Sequence, residues 1–91
     1  MNAVTDNATQ RRYELQTDAG LAFINYRRVD RIVTMTHAEV PPQLQGHGIG
    51  SALVQGALEL VRAQQEKVIP RCPFIAIYIT RHTEFQELLA E

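Results

Sequence analysis

The chain has 91 residues, a formal net charge of −1 and a hydrophobic content of 45%. This length suits one small domain, and this composition is typical of a globular protein. A net charge near zero gives no indication of nucleic-acid or membrane-surface binding, and no apolar run is long enough to span a membrane. Because Cys72 is the only cysteine, an internal disulfide is excluded, which suits the reducing cytoplasm or a protein that simply does not use disulfides.

The N-terminal half of the sequence predicts a short tail followed by three strands. Residues 1–10 are polar and lack the apolar segment of a signal peptide, so we expect a flexible tail, with residues 11–91 forming the single domain. Runs of apolar, β-branched and aromatic residues predict strands at 13–17, 21–26 and 31–40. Pro41 and Pro42 lack the N–H that a strand needs, so the third strand ends there.

The C-terminal half predicts two helices with a strand between them. From Ile49 to Gln65 apolar residues recur at helical spacing, and residues 67–70 read as a short strand. Pro73 suits the first position of a second helix, with Cys72 as its cap residue. Thr83 and Gln86 resemble a capping box, which predicts that the helix restarts there and runs to the end of the chain. The predicted fold class is α+β: a small mixed, mainly antiparallel sheet with a crossover helix and a C-terminal helix. The last strand is expected to lie parallel to the third.

A glycine-rich loop, Gln45-Gly46-His47-Gly48-Ile49-Gly50, lies between the third strand and the first helix. Three glycines at alternate positions let the backbone approach a ligand closely, and the helix start contributes unpaired N–H groups and the positive end of its dipole. The loop therefore predicts a seat for a phosphate or pyrophosphate. Ser51-Ala52 replaces the Lys-Ser/Thr pair of a P-loop, and the glycine spacing does not fit a dinucleotide fingerprint.

The loop fits the pattern Gln/Arg-x-x-Gly-x-Gly/Ala, and together with the strand, proline break and helix around it the chain resembles the GNAT superfamily of acetyl-CoA-dependent N-acetyltransferases. His37-Ala38-Glu39-Val40 and Cys72-Pro73-Phe74 resemble more closely the minimal yjdJ-type branch. The resemblance implies a GNAT-like core that binds acetyl-CoA, with the loop amides on the pyrophosphate and the backbone of the preceding strand paired with the pantetheine arm. The cofactor-binding residues it implies are Ala38, Val40, Gln45, Gly46, His47, Gly48, Ile49, Gly50 and Ser51.

The sequence departs from full-length GNAT enzymes in the region that binds the acceptor. Those enzymes place two helices between their first strands and further strands at the end. This sequence has a tight turn at Asp18-Ala19-Gly20 and one terminal helix. We therefore expect an exposed amine on a protein or small molecule as the acceptor. Nothing in the sequence sets the oligomeric state.

Cys72 is the first catalytic candidate. It follows a strand, precedes Pro73 at a helix start and lies beside Arg71. A helix N-terminus and a neighbouring cation both favour a thiolate. The GNAT resemblance places the end of this strand near the thioester. Cys72 is then a nucleophile that accepts the acetyl group or a residue that only lines the thioester pocket. The alternative is a small buried hydrophobe, as free cysteines often are.

His37 and Glu39 are the second catalytic candidates. Side chains alternate along a strand, so these two project to the same face and can form a proton-accepting pair for an attacking amine; the alternative is that both are structural. Tyr78 lies near the position of the tyrosine that protonates the leaving thiolate in many GNAT enzymes, although an aromatic beside Phe74 and Ile77 also suits a helix core. No metal-ligand spacing is shown by the three histidines, His37, His47 and His82.

Two classes of function follow from these features. The first is an acetyltransferase that moves an acetyl group from acetyl-CoA to an amine acceptor. The alternative is a non-catalytic CoA-binding or sensor module, which the reduced acceptor region favours. A general nucleotide-phosphate binder ranks last because the loop fits neither nucleotide fingerprint.

Overall fold

The computed structural model of the protein describes residues 3–90. Within this range the strands are β1 (Thr5–Asn7), β2 (Arg12–Thr17), β3 (Gly20–Val29), β4 (Ile32–Glu39) and β5 (Lys67–Pro70), and the helices are α1 (Ile49–Ala63) and α2 (Pro73–Arg81). Two 3₁₀ segments, Pro42–Leu44 and Thr83–Leu88, follow β4 and α2. The predicted helix at 49–65 and strand at 67–70 therefore agree with the structure to within two residues.

The strands form one sheet in the order β1-β2-β3-β4-β5. The first four run antiparallel to their neighbours, whereas β5 pairs parallel with β4 after the crossover made by α1. The α+β fold class, the mainly antiparallel sheet and the parallel last strand are thus confirmed. The ladder between β4 and β5 ends at the pair Met35 and Pro70. Because β5 ends at Pro70, the described part of β4 beyond Met35 has no strand partner on that side.

The N-terminal segment differs from its prediction. A flexible tail through residue 10 is wrong for Thr5–Asn7, which pair with β2 at Glu14 and Arg12. Val4 crosses α1 at Gly56, where a Cβ atom would lie 2.4 Å from a Val4 methyl carbon. Backbone pairing and this close helix contact order a segment whose polar composition suggested disorder. Residues 1 and 2 of the predicted tail lie outside the described range.

The predicted helix restart at Thr83 is also wrong. Residues 83–88 form a 3₁₀ segment, and no side chain caps it. The chain then becomes extended at Leu89, which bridges Val68 of β5, and the Ala90 N–H donates to the Val68 carbonyl at 3.0 Å. Pairing with the outer edge of β5 ends the helical segment, so the capping-box pattern does not extend a helix to the end of the described chain.

The core lies on one face of the sheet, between the strands and the helices. Its fully buried large side chains include Leu15, Ile24 and Met35 from the strands and Leu53 and Leu58 from α1. Alternate residues on the other face of the described strands are partly or fully exposed. Burial of this apolar set supplies most of the driving force for folding, at roughly 25 cal/mol per Å² of apolar surface.

A β-bulge in β4 decides which face each candidate residue occupies. Asn25 pairs with His37 but Tyr26 pairs with Met35, so Thr36 is an extra residue in β4. Without the bulge, alternation from buried Met35 would turn His37 inward. With it, His37 and Glu39 are exposed on the open face of the sheet, and Ala38 packs against the core.

An ion-pair cluster centred on Arg28 links the strands near the Val29–Ile32 end of the β3–β4 ladder. The Arg28 guanidinium donates to Glu66 at 2.8 Å and to Asp6 at 3.0 Å, and also to the hydroxyl oxygens of Tyr26 at 3.0 Å and Tyr13 at 3.3 Å. The Tyr26 hydroxyl donates to Asp6 at 2.5 Å. One arginine thus connects β1, β2, β3 and the turn before β5.

All three tyrosines of the chain share a pKa shift that predicts an alkaline stability loss. Burial raises the pKa of Tyr13, Tyr26 and Tyr78. The unfolded chain therefore releases these protons first, at about pH 10. The contribution of these tyrosines to the free energy of unfolding is complete below about pH 10. Above that pH it falls by about 1.4 kcal/mol per pH unit for each proton that the folded protein keeps and the unfolded chain has lost.

Two measurements check this loss. We expect native phenolate absorbance to stay flat through about pH 10, while the free energy of unfolding by guanidinium declines from that pH upward. A native absorbance midpoint at the ordinary tyrosine value, with an unchanged unfolding free energy, contradicts the prediction.

Candidate active site

A pocket of about 440 Å³ lies between the end of β4, the glycine loop and the start of α2. It is lined by Ala38, Val40, Leu44, Gln45, Gly46, Gly48, Gly50, Ser51 and Phe74. Seven of these residues belong to the predicted cofactor-binding set. The structure therefore brings the loop and the strand end together around one cavity.

The glycine loop is held in a conformation that favours glycine. Gly46 has φ +85° and Gly48 has φ +81°, both in the left-handed region. A side chain there costs about 1–2 kcal/mol. A Cβ atom at either position would meet nothing within 4 Å. The requirement is therefore for backbone conformation and an open approach, not for tight packing.

The start of α1 presents free backbone donors to this pocket. The N-cap residue is Gly48, no side chain caps the helix, and no acidic residue lies in its first turn. The first intrahelical bond runs from the Ala52 N–H to the Gly48 carbonyl at 3.0 Å. The N–H groups of Ile49, Gly50 and Ser51 precede that bond. They join the positive end of the helix dipole in an arrangement that suits an anion.

Gln45 ties the loop to the strand that precedes it. Its side-chain amide donates to the Val40 carbonyl at 3.5 Å, and its N–H donates to the Pro42 carbonyl at 3.4 Å. The 3₁₀ segment between them places Leu44 in the pocket wall. His47 is exposed and outside the lining, although its N–H donates to the Leu44 carbonyl at 3.1 Å and so shapes the turn.

Cys72 lies two residues after the end of β5, at the start of α2. It is the N-cap residue of α2 and precedes Pro73, as predicted, but its thiol makes no capping hydrogen bond. Its N–H donates to the Met35 carbonyl at 3.2 Å, and the Arg71 N–H donates to the same oxygen at 2.9 Å. The side chain is half-buried and packs against the core. Cys72 is thus fixed by its backbone at the β4 edge where the ladder with β5 ends.

The His37 and Glu39 side chains meet on the open face of the sheet. His37 Nε2 lies 3.1 Å from Glu39 Oε1, and both side chains are more than half exposed. The ring of Phe23 lies edge-on to the imidazole, with centroids 6.4 Å apart. The predicted shared face is confirmed. The pocket wall is built from Ala38 and Val40, so the pair lies on the opposite side of β4 from the pocket.

A model of the GCN5-related N-acetyl-transferase family matches residues 12–88. The chain belongs to this family. An NMR solution structure of a GCN5-like protein from Staphylococcus aureus matches with a TM-score of 0.71 and 25% sequence identity, covering 94% of this chain and 85% of that one. No curated protein matches the sequence.

Family membership makes this chain an N-acetyltransferase and confirms the GNAT resemblance seen in the glycine loop. The match is to the family as a whole and does not assign the chain to the yjdJ-type branch. Within residues 3–90 of this acetyltransferase, no helix is both long and apolar enough to cross a membrane.

Tyr78 of this acetyltransferase lies in the core and not in the pocket lining. It is 6% exposed, and its ring stacks on His82 with centroids 3.8 Å apart. Burial raises its pKa, with smaller contributions from Glu84 and Glu59, so it remains a neutral phenol at neutral pH. These contacts favour the packing role for Tyr78 over the acid role.

Two pocket residues of the acetyltransferase, Leu44 and Phe74, were missing from the predicted binding set. The short 3₁₀ segment that carries Leu44 has no strong sequence pattern. For Phe74 a pattern exists: Ile75, Tyr78 and Ile79 form the buried stripe of α2 at helical spacing, and Phe74 lies off that stripe. Single exposed apolar residues are common on protein surfaces, so this position alone does not identify Phe74 as a pocket residue.

Proposed function

We propose that this acetyltransferase uses acetyl-CoA and transfers the acetyl group to an exposed amine. One observation carries the proposal: a single pocket joins the uncapped N-terminus of α1 to the β4 edge that β5 leaves at Met35. The first feature suits a pyrophosphate, and the second offers unpaired strand backbone to an extended arm that carries amide groups. A cytoplasmic location remains a prediction.

The donor set of the pocket fits acetyl-CoA. The N–H groups at Gly50 and Ser51 would hold the pyrophosphate, with the loop glycines allowing close approach. The backbone at Ala38 and Val40 would pair with the pantetheine arm. Acetyl-CoA supplies an activated acyl group, and the protein supplies position and electrostatic stabilisation.

We assign the acyl-accepting step to Cys72, which follows the end of β5 and is bonded through its N–H to Met35 of β4. Its thiolate attacks the carbonyl carbon of the thioester, the new S–C bond forms, and the bond to the CoA sulfur breaks as CoA leaves as a thiolate. The neutral amine then attacks the Cys72 thioester, the Cys72 thiolate leaves, and the amine nitrogen loses a proton. Atoms and charge balance without any further reactant.

We assign removal of the proton from the acceptor amine to the His37–Glu39 pair. An ammonium cannot attack a carbonyl, so the acceptor needs a base. His37 is exposed, and Glu39 hydrogen-bonds its ring and can orient it. Because both lie on the open face, the acceptor approaches from the side of β4 opposite the pocket. No enclosed acceptor pocket is needed for an amine on a larger molecule.

Calorimetric titration with acetyl-CoA, CoA, ATP and NAD tests the proposed cofactor. We expect binding of acetyl-CoA and CoA, and much weaker binding of ATP and NAD. The Gly48→Val variant should raise the Kd for acetyl-CoA by about 10-fold or more, because a branched side chain at φ +81° costs about 1–2 kcal/mol and moves the amides.

Gly20→Ala is the matched control for this variant. Gly20 also has a positive φ, of +127°, and is the first residue of β3. It should lose stability without losing affinity for acetyl-CoA. Equal affinity for ATP and acetyl-CoA, or an unchanged affinity in Gly48→Val, rules out the proposed seat.

A further inference from the structure

Phe74 is an aromatic side chain that the fold leaves largely uncovered. It is 47% exposed, although its neighbour Ile75 in α2 is fully buried. Its ring reaches across to α1: a Cβ atom built at Gly50 would lie 3.0 Å from Phe74 Cζ and 3.7 Å from a Val40 methyl carbon. Gly50 is thus the position at which the ring, the helix start and the end of β4 meet.

The pocket beside this position is lined by two kinds of surface. On one side lie the backbone amides of the loop and of the α1 N-terminus. On the other lies an apolar wall that includes Ala38, Val40 and Leu44. A ligand that extends from the amides to the β4 edge beyond Met35 passes the Phe74 ring. A ligand that ends at the amides would cover less of that ring.

We propose that Phe74 is the specificity-determining residue of the pocket, covering the arm that joins the pyrophosphate to the thioester. This inference rests on the proposed function and goes beyond it. It means that the pocket selects pyrophosphates that carry a long thioester or thiol arm over bare nucleotides. The apolar ring surface that is open to solvent in the protein is the surface that the arm covers.

Ile77 offers a matched control on the same helix. It is 51% exposed, one turn after Phe74, and it does not line the pocket. Replacing either residue removes a similar amount of exposed apolar surface from α2. Because neither side chain is buried, both alanine variants should fold, which their thermal midpoints check.

The test compares acetyl-CoA with 3′-phospho-ADP, the nucleotide half of CoA, in calorimetric titrations. Phe74→Ala should raise the Kd for acetyl-CoA by about 10-fold or more, as expected for a lost aromatic contact. It should leave the Kd for 3′-phospho-ADP within about twofold, and Phe74→Leu should recover part of the affinity for acetyl-CoA. Ile77→Ala should change neither value.

The outcomes separate this inference from the proposed function. If the wild-type protein binds acetyl-CoA and Phe74→Ala binds it equally well, Phe74 does not contact the arm and the inference is overturned while the proposed function stands. Equal losses of affinity for acetyl-CoA and 3′-phospho-ADP would mean that Phe74 only supports the amides through Gly50. That result also overturns the inference. A wild-type protein that does not bind acetyl-CoA would remove the proposed function itself.

Discussion

Replacing Cys72 with alanine is expected to reduce acetyl transfer by about 1,000-fold or more while leaving the Kd for acetyl-CoA within about twofold. The reason is that the thiol is assigned to the chemical step, whereas the amides and the β4 edge are assigned to binding. The Cys72 side chain does not line the pocket, and its position depends on the N–H bond to the Met35 carbonyl, which alanine keeps.

The sequence makes the covalent step directly measurable. Lys67 is the only lysine in the chain, and its ammonium donates to the Glu87 carbonyl at 2.7 Å. Incubation with acetyl-CoA should add one acetyl group to Cys72 as a thioester. Hydroxylamine should cleave this thioester and remove the acetyl group. Acetylation at Lys67 would instead give an amide that resists hydroxylamine. Lys67→Arg is the matched control: it removes the amine, keeps the charge and should keep the thioester.

Normal transfer by a folded Cys72→Ala variant would contradict the covalent route. The acceptor would then attack the bound thioester directly, and the requirement for a base would fall wholly on His37. In that case His37→Gln should lower the rate of transfer, because the acceptor amine then loses its base.

The features that the sequence predicted best are those carried by local chemistry. The glycine loop predicted an open turn followed by a helix start, and the structure has a turn with Gly46 and Gly48 at positive φ and a helix that begins at Ile49. Pro70 and Pro73 mark the end of β5 and the start of α2, because proline has no N–H to donate. Such constraints act within a few residues, so a sequence shows them directly.

The features that the sequence did not predict depend on distant residues. Thr5–Asn7 form a strand because β2 pairs with them and Gly56 leaves room for Val4, and no local pattern shows either partner. The bulge at Thr36 moves His37 to the open face, yet the residues around it read as one regular strand. Strand register and close packing between elements are therefore learned from the structure.

The largest loss of stability is expected from replacing Arg28 with methionine. The variant keeps much of the apolar stem and removes the guanidinium that holds Glu66 and Asp6. Glu66 is only 9% exposed, so its carboxylate would stay desolvated without a cation. We expect a loss of about 2–4 kcal/mol in the free energy of unfolding. That corresponds to a drop of about 10–25 °C in Tm for a domain of this size.

Three further variants distinguish an uncompensated charge from lost packing. Arg28→Lys should lose an intermediate amount, because one ammonium cannot reach both carboxylates as the guanidinium does. Adding Glu66→Gln to Arg28→Met should recover part of the loss, since the buried carboxylate charge of Glu66 is then removed. Arg31→Met, which removes an exposed arginine bonded to the Gln64 carbonyl, should cost less than about 1 kcal/mol.

The distance of the Arg28 cluster from the pocket gives a further expectation for ligand binding. Arg28 pairs with Val33 at one end of the β3–β4 ladder, whereas Glu39, next to the pocket residues Ala38 and Val40, pairs with Phe23 at the other end. Folded Arg28→Met should therefore bind acetyl-CoA with the wild-type Kd at a temperature well below its own Tm. A loss of under about 0.5 kcal/mol would mean that the cluster is solvated in solution. A loss of affinity in the folded variant would instead mean that the two ends of the sheet are coupled.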